Sequence, residues 1–558
     1  MRKLFLFATM LLSLPLWAQN GKDHNFDVAK SMDVFNAIYK NLDFMYVDTL
    51  NATDVVGTAI NAMLDSLDPY TTYYPEDKQA EYKEMMTGKY AGVGAVISYN
   101  FKLKRVVINE PYEGMPAAEA GLRKGDIILS IDGEDMTKQT NQYVSDHLRG
   151  DAGTTLELKV LRPTTGKKLT MKITRKAIQM PYLPYYGLQP GNIGYINYTQ
   201  FIDGSSKDFR RAFLDLKQKG AKKLIIDLRS NGGGNVQDAI SILNMFLPKG
   251  KTLLTMKGKI KSANQTFATT VEPIDTVMPI VVMVNGQTAS ASEITSGALQ
   301  DFDRAVVLGT RTYGKGLVQV PNVPLPYNGK LKLTTAKYYI PSGRLIQAID
   351  YSHRDADGNI QRTPDSLTNV FHTVHGREVR DGGGITPDVT VDWGKASRLT
   401  YNIFADNWAF DFANKYRAEH PSICAAEDFV VTDSIFAEFK RSIDPARFNY
   451  DKVCETGLAA LRDAAKIEGY MNDSTKQAFD VLEKLLKHNL SQDLDNNRKA
   501  IEEILAPEIV SRYYYERGRI VQTMKSDNGL DAAVKVLNDM AEYRRLLAPA
   551  DKKSKKKK

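Results

Sequence analysis

The chain has 558 residues, too many for a single hydrophobic core, so several domains are expected. Apolar residues make up 43% of the sequence and charged residues 25%, both ordinary for a globular protein. The net charge of +8 comes from Arg2, Lys3 and six lysines after Asp551. The body of the chain is therefore neutral, which argues against nucleic acid as the main partner.

Both ends of the chain carry segments that lie outside the expected folded body. Residues 1–18 are predicted to be a secretory signal peptide, because a basic start is followed by an apolar run at 4–16 and then by Ala18. Leu16 is not the small residue preferred before a cleavage site, so an uncleaved anchor stays open. The lysine-rich tail at 552–558 is predicted to be disordered, with contact to an anionic surface as the alternative. We expect a periplasmic or cell-envelope location.

The sequence contains two cysteines, Cys424 and Cys454. Two cysteines form neither a metal cluster nor a disulfide framework, and we predict no metal. A single bridge between them and a pair of buried free thiols are both open.

Two segments with helical periodicity flank the middle of the chain, one on each side. In residues 19–85 apolar side chains such as Val34, Ile38 and Leu42 recur at helical spacing, which predicts a helical packing or dimer element. Residues 396–551 are almost wholly helical in pattern and contain no catalytic cluster.

Residues 86–180 change from helical spacing to short alternating strands. A glycine-rich loop, Gly92-Val93-Gly94, enters the first of these strands, and the segment 115–126 predicts a short helix closed by glycine. The order of elements resembles a PDZ domain of the bacterial protease type, in which the glycine loop binds a terminal carboxylate. Free backbone N–H groups and an adjoining strand edge suit an extended peptide.

Residues 181–395 alternate strands with helices, which predicts a sheet covered by helices. An apolar run at 281–284 is followed by a turn of small residues and a helix to about Gln300. A lysine framed by glycines, Lys315, comes next, and Gln319 lies four residues beyond it.

Two interpretations of this stretch are open from the residues alone. Ser290 and Glu293 fit a capping box, which needs no chemistry. Alternatively one of Thr288, Ser290 and Ser292 is a nucleophile, and Lys315 is its base. Burial disfavours the charged ammonium and lowers the pKa of a lysine, and none of the seven histidines has a comparable setting.

A serine nucleophile also needs donors for the oxyanion. The residue after the nucleophile supplies one N–H, and the triple glycine at 232–234 can expose another, although a plain turn is the alternative. Gln319 would share a strand face with Lys315 and hold its amine without adding charge.

Five motifs in order resemble the C-terminal processing (tail-specific) serine peptidases; they lie at 227–234, 288–293, 298–301, 309–319 and 339–343. The family's serine lies 25 residues before its lysine, which selects Ser290. The resemblance implies Ser290 as nucleophile, Lys315 as general base and Gln319 as the residue that orients the lysine. The oxyanion donors would be the N–H groups of Ala291 and Gly233, or of Gly234.

One motif departs from the family, because Asn231 is followed by three glycines where a proline and two glycines are usual. The exact glycine donor is therefore open. The resemblance implies an α/β multidomain chain, with a PDZ domain at 86–180 and a peptidase core of the crotonase/caseinolytic-protease spiral ββα type at 181–395. Helical regions at 19–85 and 396–551 flank them.

The expected function is a serine endopeptidase without a cofactor, acting in the cell envelope on proteins that end in an unblocked apolar tail. A non-catalytic PDZ scaffold is the alternative, in which Ser290 is only a helix cap. A homo-oligomer, an adaptor protein and regulation by the PDZ domain are open.

Overall fold

The structure is a computed structural model that describes residues 24–101, 103–354, 360–394 and 396–549. The predicted signal peptide and the lysine tail at 552–558 lie outside these residues. The chain divides into two compact units, and the boundary lies between Tyr73 and Tyr74. Within the described residues, no helix has the length and apolar character needed to cross a membrane.

The first unit is helical, as predicted. Its first helix carries Val34, Ile38 and Leu42 on an exposed surface and buries none of its side chains within the chain. The second begins after Asn51, whose side chain accepts the N–H groups of Thr53 and Asp54. The elements of this unit are α1 (His24–Met45) and α2 (Ala52–Asp65), with the short strand β1 (Thr72–Tyr74) at the junction.

The second unit opens with helix α3 (Gln79–Thr87) and a module of short strands. An antiparallel sheet of the order β3-β4-β5-β7-β8 encloses a core of its own, so β3 lies at an edge. The pair β2–β9 closes the module. Its elements are β2 (Lys89–Gly92), β3 (Ala95–Asn100), β4 (Arg105–Pro111), α4 (Pro116–Glu119), β5 (Ile127–Ile131), β6 (Glu134–Asp135), α5 (Asn141–Leu148), β7 (Thr155–Arg162), β8 (Lys167–Thr174) and β9 (Lys176–Gln179).

A six-stranded sheet of the order β10-β11-β12-β15-β16-β23 forms the next layer, parallel except at β10. Its central strands are buried throughout because helices cover both faces. The elements to this point are β10 (Tyr185–Gln189), β11 (Ile193–Asn197), α6 (Ser205–Gln218), β12 (Lys223–Asp227), α7 (Val236–Leu243), β13 (Thr252–Gly258), β14 (Gln265–Ala268), β15 (Ile280–Val284), α8 (Ala291–Asp301) and β16 (Val306–Gly309).

A second layer of antiparallel strands stands beside this sheet, where β18 pairs with β17 and with β13. Together the layers confirm the predicted mixed α/β organisation. The remaining strands are β17 (Leu317–Pro324), β18 (Lys330–Tyr339), β19 (Ile349–Arg354), β20 (Ile360–Arg362), β21 (Val370–His372), β22 (Glu378–Arg380) and β23 (Val389–Thr390).

The C-terminal helices fall into two groups. Most of them pack around a cluster of their own, and α15 is interrupted at Tyr514 and Tyr515. The last two helices instead cover one face of the six-stranded sheet, where Leu530 and Leu537 pack against Val281 and Met283. The helices are α9 (Arg398–Ala405), α10 (Trp408–Glu419), α11 (Asp433–Ser442), α12 (Val453–Ile467), α13 (Asp473–Leu485), α14 (Leu490–Asn496), α15 (Arg498–Met524), α16 (Asn528–Asn538) and α17 (Met540–Leu546).

Cys424 and Cys454 are both free and both exposed. The chain therefore does not bridge them, and the expectation of buried thiols is wrong, because each lies on a helical surface or loop outside the apolar clusters.

Because α16 completes the core, Leu537→Ala is expected to destabilise the protein by about 2–5 kcal/mol. Leu537 is fully buried on the sheet, and its truncation leaves a cavity there. Lys535 on the exposed face of the same helix supplies the control, Lys535→Ala, with an expected change within about 0.5 kcal/mol. Urea midpoints measure both. Equal midpoints for the two variants would show that α16 is not part of the core.

Candidate active site

Ser290 lies at the turn between β15 and α8 in a backbone conformation that is rare for residues other than glycine. Its φ is 57° and its ψ is −118°. Neighbouring bonds hold the turn, since the Ala289 N–H donates to the Asn231 carbonyl at 3.0 Å. Such strain persists only where the surroundings over-determine it, and it concentrates at functional sites.

Only one of the three candidate hydroxyls faces a cavity. Thr288 and Ser292 are fully buried; their hydroxyls donate to the carbonyls of Leu228 and Asn231 at 2.8 and 3.0 Å. Ser290 is half-buried and lines a cavity of about 740 Å³. Lys315 and Gln319 line the same cavity, so the structure brings the three predicted catalytic residues together.

Lys315 sits on a loop whose two glycines are sterically required. A Cβ at Gly314, which has a φ of +88°, would lie 2.3 Å from the Ala348 Cβ. A Cβ at Gly316 would lie 2.8 Å from the backbone nitrogen of Gln347. The two glycines therefore let the lysine loop pack closely against the segment that contains Gln347 and Ala348.

Gln319 reaches the cavity by a different route from the one predicted. Lys315 precedes strand β17, and a register shift lies between Val318 and Gln319 in the pairing with β18. The simple alternation of a strand therefore does not place the two side chains on one face, and the predicted reason is wrong. The Gln319 amide donates to the Thr334 hydroxyl at 3.1 Å, which anchors the carboxamide.

The N–H groups predicted to bind an oxyanion lie beside Ser290. A Cβ at Gly233 would lie 2.7 Å from the Ser290 Cβ and 2.8 Å from the Ala291 nitrogen. The Gly233 N–H donates to Asn231 Oδ1 at 2.9 Å in this structure. The N–H groups of Ala291 and Gly234 have no acceptor among the described residues.

Glu293 is the residue whose role the sequence interpretation missed. Its carboxylate is completely buried and accepts four hydrogen bonds. Oε2 accepts the N–H groups of Ser290 and Lys315, both at 2.9 Å. Oε1 accepts the Gly314 N–H at 2.7 Å and the Thr312 hydroxyl. One carboxylate thus joins the nucleophile turn to the lysine loop.

Burial raises the pKa of Glu293 to about 7, although the four hydrogen bonds act in the opposite direction. The S-x-x-E pattern did signal this residue, but only as a helix cap. In the structure the same carboxylate accepts the Ser290 N–H and also the N–H groups of the lysine loop, so a capping role for Glu293 does not exclude a chemical role for Ser290.

Tyr338 makes a second link between the two loops. Its ring is buried, and its hydroxyl donates to the Lys315 carbonyl at 2.6 Å. The Ser290 carbonyl lies 3.3 Å from the same oxygen. No motif interpretation selected this tyrosine, because it lies on β18 and its partners come from elsewhere in the chain.

The predicted carboxylate loop, residues 92–94, lies between β2 and β3. The N–H groups of Val93 and Gly94 have no acceptor among the described residues. A Cβ at Gly94, which has a φ of +76°, would lie 2.6 Å from the Met115 Cβ. Apolar side chains including Ala95, Ile97 and Leu148 line a small groove beside the loop.

An arginine at the rim of this groove ties it to helix α3. The Arg149 guanidinium makes a two-pronged ion pair with Glu84, at 2.6 and 3.1 Å, and lies over the Tyr90 ring. The next two residues of α3, Met85 and Met86, line the cavity that contains Ser290 and Lys315. Helix α3 therefore contacts both the small groove and the Ser290 cavity.

Comparison with known families and proteins covers most of these elements. The model of peptidase family S41 matches residues 192–352, that of the PDZ domain matches 107–162, and that named "Probable PDZ-protease, C-terminal helical domain" matches 399–537.

Relatives of known name match over longer spans. A carboxy-terminal-processing protease of Bartonella bacilliformis is 36% identical over 349 residues, which is 62% of this chain and 78% of the relative. A probable CtpA-like serine protease of Staphylococcus aureus is 28% identical over 459 residues, 81% of this chain and 82% of the relative. Among solved structures, a photosystem II D1 C-terminal processing protease aligns with a TM-score of 0.36 and 26% identity, over 64% of this chain and 86% of that one.

Fold, site and similarity together define a serine-type peptidase with a PDZ domain. The chain belongs to peptidase family S41 and, within it, to the carboxy-terminal-processing proteases. The resemblance inferred from the five motifs is thereby confirmed.

Proposed function

We propose that this peptidase is an endopeptidase with a Ser290–Lys315 dyad, which binds proteins through their apolar C-terminal tails and cleaves them nearby. One observation carries the proposal: the strained Ser290 turn and the glycine-framed Lys315 line one cavity and are joined by the buried carboxylate of Glu293.

In the proposed reaction Lys315 enters with a neutral amine and takes the proton of the Ser290 hydroxyl. The serine oxygen attacks the carbonyl carbon, and the protonated lysine then gives its proton to the leaving amine. Water hydrolyses the acyl-enzyme in the second half, again with Lys315 as base. Gln319, anchored by Thr334, offers its carboxamide oxygen to the lysine ammonium.

The oxyanion of each tetrahedral intermediate would receive the Ala291 N–H at the start of α8 and one N–H of the triple glycine. Gly233 serves only if its bond to Asn231 is released, whereas the Gly234 N–H is not engaged within the described residues. The mechanism therefore favours the N–H groups of Ala291 and Gly234 as the two oxyanion donors. The Gly233 N–H would replace that of Gly234 only after a rearrangement of the loop breaks its bond to Asn231.

The lining of the cleft supports a preference for apolar side chains. Methionine and aliphatic residues line the same cavity as Ser290, among them Met85, Met256, Ile260 and Leu317. The N–H groups of Val93 and Gly94, which have no acceptor among the described residues, and the edge of β3 support binding of an extended tail with its carboxylate unblocked.

The finer parts of the architecture and location are also proposals. The parallel strands with a second antiparallel layer support a spiral core of the crotonase/caseinolytic-protease type. The basic start and apolar run of the sequence support export and action in the cell envelope. We keep the domain limits at 86–180 and 181–395 as proposals, and the packing of α16 and α17 on the central sheet supports adding these helices to the core.

Cleavage is expected to depend on the chemistry of the substrate's tail. A soluble test protein with three apolar C-terminal residues should be cleaved, and its counterpart ending in aspartates should react at least about tenfold more slowly. Amidation of the apolar tail should have a similar effect, because the 92–94 loop then loses its carboxylate. Gel and mass analysis of the products measure the rates.

Ser290→Ala is the matched control, and it should bind the apolar tail without cleaving it. If the unsubstituted enzyme also bound the tail and released no fragment, the chain would be a PDZ scaffold instead of a tail-directed peptidase. Equal cleavage of all three tails would contradict the proposed recognition of the tail but would not contradict the Ser290–Lys315 dyad.

A further inference from the structure

A second cavity, of about 210 Å³, lies away from the catalytic one and shares no lining residue with it. One wall comes from the PDZ domain, with Arg123 and Arg162. The opposite wall comes from the C-terminal helices, with Arg417, Tyr513 and Tyr515. No step of the proposed proteolysis uses this cavity.

Four arginine side chains line the cavity, and two of them, Arg162 and Arg512, have carboxylate partners. Arg162 makes a two-pronged ion pair with Asp126, at 2.8 and 2.7 Å. The Arg123 side chain contacts no carboxylate within the described ranges. Burial and the neighbouring charges of Arg162 and Arg417 lower the pKa of Arg123, and the Asp126 carboxylate opposes this effect only in part.

Arg417 is held by its ring contact and not by an acid. Its guanidinium lies 4.6 Å from the centroid of the Tyr513 ring. Its polar contact is with the His420 carbonyl, at the long distance of 3.5 Å. Among the described residues no ion pair involves Arg417, so the N–H groups other than the one directed at His420 are available to a ligand.

Other cations of the cavity wall have acidic partners. Lys124 lies 3.6 Å from both Glu110 and Glu508, and Arg512 also pairs with Glu508. The excess positive charge of the cavity is therefore concentrated on Arg123 and Arg417.

The two domains meet beside the cavity at residues that adopt, or require, an unusual backbone conformation. Tyr515 has a φ of 51° and a ψ of −155°, inside a helix, and it lines the cavity. A Cβ at Gly125 would lie 2.2 Å from the Asn414 amide, so the glycine allows the two domains to touch beside the cavity. The site is a junction of two domains in close contact.

We propose that this cavity binds a small divalent oxyanion of the phosphate class through Arg123 and Arg417. Two guanidinium forks match the two charges and the planar oxygen pairs of such an anion. A volume of about 210 Å³ holds roughly seven waters, which suits a phosphate-sized anion. It lies below the range of roughly 300–1,000 Å³ that larger organic ligands occupy.

The test is calorimetric titration of the full chain with inorganic phosphate at constant ionic strength. The unsubstituted protein should show saturable binding below about 10 mM, and Arg123→Gln and Arg417→Gln should each weaken it at least tenfold. Arg210→Gln removes the same charge from the exposed surface of α6 and should leave binding unchanged. Sulfate should compete with phosphate, and acetate should bind at least tenfold more weakly.

Arg123→Lys keeps the charge but not the fork, and it should fall between the parent and Arg123→Gln. Thermal melting without phosphate checks that each variant is folded, which is expected because both arginines are accessible. Absence of saturable binding by the parent, or equal binding by the parent and both glutamine variants, would overturn the proposal. Proteolytic activity is not the readout, so the result is independent of the dyad.

Discussion

Lys315→Ala is expected to lower kcat/KM for peptide cleavage by at least about 10³-fold, with almost no change in stability. The amine is the proposed base, and no histidine is among the described residues that line the Ser290 cavity. The structural contacts of this residue with Glu293 and Tyr338 use its backbone N–H and carbonyl, which alanine retains. Initial rates on an apolar-tailed protein measure the loss, and urea unfolding checks the fold.

Two further variants separate the base from a simple cation. Lys315→Arg keeps a positive charge, but a guanidinium cannot release its proton at neutral pH, so this variant should be as inactive as Lys315→Ala. Lys337→Ala removes an exposed lysine from β18 and should retain parental rates. Substantial activity in the arginine variant would show that Lys315 acts through its charge and would exclude it as the base.

Glu293→Gln is expected to impair both catalysis and stability. The carboxylate accepts four donors, whereas a carboxamide has one acceptor oxygen and turns two N–H donors towards other donors. Two buried donors then lose their partner, at about 1–3 kcal/mol each. Activity should fall by about 10²-fold or more, because the Ser290 turn and the Lys315 loop are no longer held in register.

The pH dependence of the free energy of unfolding gives an independent test of the pKa of the Glu293 carboxyl. Its pKa rises from an ordinary 4.5 to about 7 in the folded chain, so between these values the folded state keeps a proton that the unfolded state has released. The corresponding stability is fully present below pH 4.5 and is lost as the pH rises through 7, by about 3 kcal/mol.

Glu293→Gln cannot ionise and should lack this part of the pH profile, whereas Glu272→Gln on the exposed surface should keep it. Urea midpoints of the three proteins across that pH range measure the difference. Superimposable profiles for the parent and Glu293→Gln would contradict the assignment of the titration to this carboxyl.

The sequence predicted those parts of the site that depend on local patterns. Strand β15, the turn at Ser290 and the glycine-framed lysine follow from apolar runs and small residues within one continuous stretch. The choice of Ser290 over its neighbours needed the family spacing, and the structure supplies a physical reason, because the neighbouring hydroxyls are buried in bonds to carbonyls.

Features that depend on distant residues were not predictable in this way. The link from Tyr338 to Lys315 joins residues 23 apart, and three of the four bonds of Glu293 join residues 19 to 22 apart, so neither follows from the period of a helix or a strand. The register shift before Gln319 leaves no periodic signal, because it inserts irregularity into a short strand. The bond between Asn231 and Gly233 likewise depends on the conformation of a turn.

The packing of α16 and α17 on the central sheet has a consequence for the order in which the peptidase becomes complete. The ribosome makes five of the six strands of the sheet by residue 309 and β23 by residue 390, whereas the two helices follow only from residue 528. Until then the face formed by Val281, Met283 and Leu308 has no cover. A chain truncated before residue 528 would therefore expose this apolar face, which includes the strand that leads directly into the Ser290 turn.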